Sequence, residues 1–111
     1  MTRSLIAASF ALIAFNLPAL GDDSASAAAQ ADWDRHCRRC HAADGSASTP
    51  LGKRLKIRDY TKAESLAELT DQQLFDMTKH GVEGTQMPGY ADKLSDDEIH
   101  ALVALMRAMV K

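Results

Sequence analysis

Cys37-Arg38-Arg39-Cys40-His41 contains both cysteines of the 111-residue chain, and the reading of this run decides the fold. A disulfide across two intervening residues would close a very short loop. The entropy a bridge removes from the unfolded chain grows with loop length, so such a bridge is a poor staple. Three chemical readings compete: a thiol–disulfide active site, half of a zinc site, and covalent attachment of a prosthetic group. A closed zinc site takes four ligands. His36 or His41 brings the local count only to three, leaving His80 or His100 to arrive from far along the chain. A thioredoxin-like site sits at a strand-to-helix junction in an alternating pattern. After residue 30 this sequence shows helical periods and loops, with no run rich in Val, Ile and aromatics.

Covalent haem attachment uses every residue of the motif. Positions three apart on a helical turn share a face, so Cys37 and Cys40 can both form thioethers along one edge of a porphyrin. His41 is then carried beneath the ring, where an imidazole nitrogen can ligate the iron. The second axial ligand must come from elsewhere in the chain. Met77 follows Leu74 at helical spacing, and Met106 and Met109 continue the stripe Ile99, Leu102, Val103, so these three methionines read as core. Met87 stands apart, in Gly81-Val82-Glu83-Gly84-Thr85-Gln86-Met87-Pro88-Gly89, where three glycines and a proline forbid continued helix. Glycine allows close backbone approach and Pro88 pushes Met87 towards an extended conformation, an arrangement suited to holding a thioether still. His80, at a helix end, is the rival ligand, while His100 falls off the apolar stripe and reads as exposed. A thioether favours reduced iron and, with histidine, leaves no vacant coordination position. The expected activity is therefore one-electron carriage rather than enzymatic turnover. Ready binding of cyanide, carbon monoxide or peroxide would point instead to a haem sensor or peroxidase with a labile Met87.

Before the motif, Arg3, the nearly uncharged apolar stretch Leu5 to Leu17, and Ala19-Leu20-Gly21 form an export signal over residues 1–21. The run Ala27-Ala28-Ala29 offers later cleavage, as far as residue 29, and residues 22–29 read as a small-residue linker before a domain spanning 30–111. Asn16 and Pro18 interrupt the apolar run, which is too short for a spanning helix, so no membrane insertion is expected once it is removed. The expected location is the periplasm. Without residues 1–21 the chain carries twelve Lys and Arg against fifteen Asp and Glu, a balance that makes nucleic acid an unsuitable partner. A mature chain of about 90 residues buries apolar surface only marginally well by itself, so a cofactor should complete its core.

With the attachment run near the mature N-terminus, Gln86-Met87-Pro88-Gly89-Tyr90 late, and Leu94-Ser95-Asp96-Asp97-Glu98-Ile99 opening a final helix, the sequence resembles a class I cytochrome c of the small bacterial monohaem kind. The resemblance covers residues 30 to 111 and implies an all-α fold of about three to four helices wrapped around one haem c. The sequence supports this scaffold independently. Ser95 with Glu98, and Thr70 with Gln73, are capping boxes opening two helices. A first helix from about Ala29 to Arg39 sets Ala29 and Trp33 on one face. The resemblance further implies that Trp33 crosses the last helix near Ala101 and Leu105, where the family usually has an aromatic. It also implies that a proline carbonyl, here Pro50, accepts from the second ring nitrogen of His41. Haem propionates need donors, for which Lys53, Arg58 and Tyr60 are candidates, but the preferred reading of these residues is a solvated basic loop. The partners expected are transient redox proteins of a monomeric carrier. The crowded basic residues read first as solvated surface; the alternative is that Arg35, Arg38, Arg39 and Lys53 form a basic collar that steers acidic partners. The same domain could equally serve as a fixed haem subunit of a dehydrogenase or oxidase complex.

Overall fold

The computed structural model describes residues 9, 11–14 and 20–111, so most of the expected export signal lies outside the described residues. Among the described residues five α-helices follow in order: α1 (Leu20–His36), α2 (Arg38–His41), α3 (Pro50–Arg54), α4 (Asp71–His80) and α5 (Asp96–Ala108). A 3-10 turn at Ala63–Ser65 lies between α3 and α4, and no strand occurs among the described residues. The three long helices are α1, α4 and α5, with two short ones added at the attachment run and just after it. None of the described helices is long and apolar enough to cross a membrane.

α1 begins nine residues before the expected start, because Ala25, Ala27, Ala28 and Ala29 are the strongest helix formers available and make residues 22–29 helical. It also ends sooner, at His36 rather than Arg39. Cys37 still donates its N–H to the Trp33 carbonyl at 2.8 Å, but its φ of −113° distorts the turn, and α2 resumes at Arg38. Both expected capping boxes are formed. Ser95 N–H donates to Glu98 Oε1 at 2.9 Å while Glu98 N–H donates to Ser95 Oγ at 3.2 Å. Thr70 and Gln73 exchange the equivalent bonds at 2.8 and 3.1 Å.

α5 is the central element, packed against both α1 and α4. Its buried face of Ile99, Leu102, Val103 and Met106 meets Ala29 and Trp33 from α1 and Leu74 and Phe75 from α4. Leu66 and Leu94 close the ends, and Leu105 and Met109 pack partly buried at the margin. Arg107 pins the far end of α5. Its Nε bonds Asp71 Oδ1 at 2.8 Å, and its other nitrogens donate to the carbonyls of Leu66 at 2.8 Å and Leu69 at 2.5 Å. Two backbone carbonyls of the loop before α4 and the carboxylate of the first residue of α4 are thereby held by a single side chain, a fork geometry that lysine could not reproduce.

Candidate functional site

The core helices leave a cleft of about 690 Å³ between them, within the range of cofactor sites. Cys37, Cys40 and His41 line it from the α1–α2 turn, Met87 and Pro88 from the loop after α4, and Leu102 and Met106 from α5. The four residues expected to serve the site therefore share one cavity. Met77, expected in the core, instead forms part of the cleft wall and is only partly buried. His80 is exposed and lies outside the cleft, and His100 is exposed, stacked on Phe75 at 4.3 Å.

Local bonding explains how each wall is held. Cys40 and His41 N–H groups both return to the Cys37 carbonyl, at 3.2 and 2.9 Å, so the two cysteines sit on one helical turn with their thiols free. Thr49 anchors the next segment twice. Its hydroxyl accepts from Gly52 N–H at 2.9 Å as the cap of α3 and donates to the Cys40 carbonyl at 3.1 Å. Across the cleft, Gly81 has φ +78°, and a Cβ there would lie 2.8 Å from both the Met87 carbonyl and the Gly89 nitrogen. That close neck lets Val82 N–H donate to the Met87 carbonyl at 3.1 Å, while Met87 N–H donates to Thr85 Oγ1 at 3.2 Å. Tyr90 then fastens the loop to both helices, its N–H donating to the Thr78 carbonyl at 3.0 Å and its hydroxyl to the His36 carbonyl at 3.1 Å.

The surroundings of His41 were not legible in the sequence. Its ring stacks on Tyr60, with centroids 5.2 Å apart and planes at 24°, and lies 5.6 Å from Trp33. Burial pushes its pKa down, favouring the neutral imidazole that a metal requires. Among the described residues, His41 Nδ1 is the buried side-chain nitrogen or oxygen without a hydrogen-bond partner, so the expected bond to the Pro50 carbonyl is not formed. Trp33 does more than cross α5. Its indole N–H donates to the Ala42 carbonyl at 2.9 Å, immediately after the attachment run, and helps hold Ala42 at φ +66°. Burial, with Asp32 and Cys40 adding, pushes the Cys37 thiol up to about 12. Of the donors expected for propionates, Arg58 and Tyr60 line the cleft whereas Lys53 does not. Arg58 is also engaged with the Ser65 carbonyl at 3.0 Å.

The family model for cytochrome c oxidase, cbb3-type, subunit III matches residues 24–106. The chain belongs to this cytochrome c family. Among solved structures it is similar to the KustC0563 c-type cytochrome, with 30% identity and a TM-score of 0.68 over 75% of this chain and 98% of that one. A tyrosine-to-phenylalanine mutant of that protein matches with 30% identity and a TM-score of 0.65, over 73% of this chain and 96% of the mutant. Dihydro-heme d1 dehydrogenase NirN in complex with DHE shares 32% identity and a TM-score of 0.57 over 72% of this chain, but only 16% of NirN is covered. No curated protein matches. This cytochrome is thus a small class I-like, monohaem c-type domain with an all-α fold. A covalently bound haem c is the cofactor of that class, and the residues present fit it. Two free cysteines at attachment spacing border an apolar-walled cleft, with a half-buried imidazole beside them and a thioether in the facing loop. Neither competing reading of the cysteines keeps its support. There is no strand among the described residues to carry a thioredoxin-like site, and among them no group of three or more His, Cys, Asp or Glu could hold a metal ion.

Proposed function

We propose that this cytochrome is an exported one-electron carrier in which Cys37 and Cys40 bond haem c, with His41 and Met87 as axial ligands. When bound, the haem supplies an iron centre that alternates between ferric and ferrous states. The observation that carries the reading is that His41 and Met87, far apart in sequence and on different elements, border one cleft with both cysteines. The α2 turn presents His41 in its neutral form, and the Gly81–Tyr90 hydrogen bonds fix the backbone that bears Met87. Trp33, Leu102 and Met106 exclude water from the cleft wall. Purified from a host able to attach haem c, the denatured chain should keep its colour. Met87→Ala should abolish the red-region sulfur-to-ferric-iron absorption and lower the reduction potential, whereas an unchanged spectrum would remove Met87 from the iron.

The partners on this reading are transient redox proteins in the periplasm, reached after residues 1–21 direct export. A second reading, a domain fixed in a larger assembly, is favoured by the oxidase-subunit description of the family and by the likeness to a small part of NirN. Gel filtration of native extract separates the two, since a free carrier elutes at the size of one small domain. Rapid cyanide or carbon monoxide binding at neutral pH would favour a haem sensor or peroxidase over either.

A further inference from the structure

Resting on the ligand assignment above, we propose that Tyr90 is a positioning residue, whose hydroxyl clasps the Met87 loop to the attachment helix and so sets how readily the thioether leaves the iron. The loop between α4 and α5 is braced in two ways. Its inner bonds shape it: Val82 N–H donates to the Met87 carbonyl and Met87 N–H to Thr85 Oγ1. Its neck is fastened to α4, because Tyr90 and Ala91 N–H donate to the Thr78 and Lys79 carbonyls at 3.0 and 3.1 Å. Neither set opposes movement of the loop away from the facing wall, the α1–α2 turn that bears Cys37, Cys40 and His41.

The Tyr90 side chain reaches that wall. Its hydroxyl donates to the His36 carbonyl at 3.1 Å, 54 positions back in the chain. The acceptor belongs to the last residue of α1, among the helix-end carbonyls that have no intrahelical donor. It stands one residue before Cys37, so the bond ties the methionine loop to the start of the attachment run. The tyrosine ring is held in this pose from two sides. His36 meets it edge-on, with centroids 5.5 Å apart and planes at 60°, and Lys93 Nζ lies over its face, 5.5 Å from the centroid. Behind the ring, Lys93 and Leu94 N–H donate to the Tyr90 carbonyl at 3.0 and 2.9 Å, and the buried Leu94 side chain anchors that backbone in the core. An outward swing of the loop that takes the thioether off the iron also breaks the Tyr90–His36 bond, so the clasp favours the closed form. A thioether is held less firmly by ferric than by ferrous iron, and the clasp therefore matters most in the oxidised protein.

The test follows cyanide binding to the ferric, haem-loaded protein at low cyanide, where the rate is proportional to the fraction of molecules with the loop open. Wild type, Tyr90→Phe and Arg107→Lys are compared, each checked for covalent haem on a denaturing gel and for the red-region absorption. Phenylalanine keeps the ring and removes the hydroxyl, so Tyr90→Phe should bind cyanide about twofold to tenfold faster, the factor that one hydrogen bond of ordinary net strength gives. Arg107→Lys loosens the far end of α5; it should lower the unfolding midpoint and leave the cyanide rate at the wild-type value. A Tyr90→Phe rate equal to wild type overturns the clasp. So does an Arg107→Lys rate raised as far as that of Tyr90→Phe, since overall stability would then be the cause. If wild type lacks covalent haem or the red-region band, the ligand reading falls and the clasp with it. Should Tyr90→Phe not mature, proton resonance spectra of ferrous wild type decide. The Tyr90 hydroxyl proton is expected to exchange slowly and to lie close to the His36 backbone, and a hydroxyl in fast exchange with water overturns the proposal.

Discussion

Trp33 shows how one side chain can link the core to the cleft. It is 2% exposed, and its apolar body fills the α1–α5 contact while its ring nitrogen bonds the Ala42 carbonyl. Tryptophan suits this position because it has an apolar body with one polar handle. Trp33→Phe keeps most of the body but takes the shorter of two donors from the Ala42 carbonyl, which retains the Gly45 N–H at 3.3 Å. Such a loss costs about 0.5–1.5 kcal/mol, read as an earlier midpoint in denaturant unfolding of the haem-loaded protein with the slope unchanged; an identical midpoint would mean that the bond contributes nothing. The sequence made Trp33 a core residue by its spacing from Ala29. Nothing in it disclosed the bond to Ala42, because the turn that brings that carbonyl back under the indole is not periodic.

Among the elements, α5 was the most legible. Its cap, its apolar stripe and its first-turn acids are all local features, and all appear as read. Glu98 has its carboxyl held below the ordinary range, first by the Ser95 backbone N–H and then by the Ser95 side chain. A carboxylate whose folded pKa is depressed contributes stability above its unfolded pKa and loses it as pH falls through the folded value. Acid titration should therefore weaken α5 from just below the usual glutamate range downward. Glu98→Gln should flatten that part of the stability-against-pH curve; a mutant curve parallel to wild type would show that other groups govern it. α1 was less legible at both ends. Its start depends on alanine propensity extending back through residues read as a linker, and its end on a distortion at Cys37 that no propensity records. The loop after α4 lies between these cases. Its glycines and proline marked it as irregular, but only the fold shows Gly81 forming the neck against Met87 and Gly89.

At the scale of the whole fold, the buried apolar cluster among the described residues is nine residues, arranged beside a cleft of about 690 Å³. A core so small, next to a cavity that protein atoms do not fill, depends on its cofactor for much of its burial. Cys37→Ala with Cys40→Ala should give a chain with little stable structure, and cooperative unfolding of that double variant would refute the dependence. Charge acts at the same scale. Arg35, Arg38, Arg39 and Lys53 are exposed around the attachment turn, while Asp96, Asp97 and Glu98 gather at the start of α5. Steering by the basic group should make electron exchange with an acidic partner slow as ionic strength rises, and a rate indifferent to salt would remove it.

The sequence by itself determined the helical class and marked out the cysteine pair, its histidine and the loop methionine that border one cleft. Each of these is written in short-range spacing, and local geometry acts over the same few residues. Only the tertiary structure decided what surrounds His41: Tyr60 on its face, Trp33 beside it, and no acceptor at Nδ1. These contacts join turns and loops whose separation follows no period, so they exist only once α5 has drawn the other elements around it.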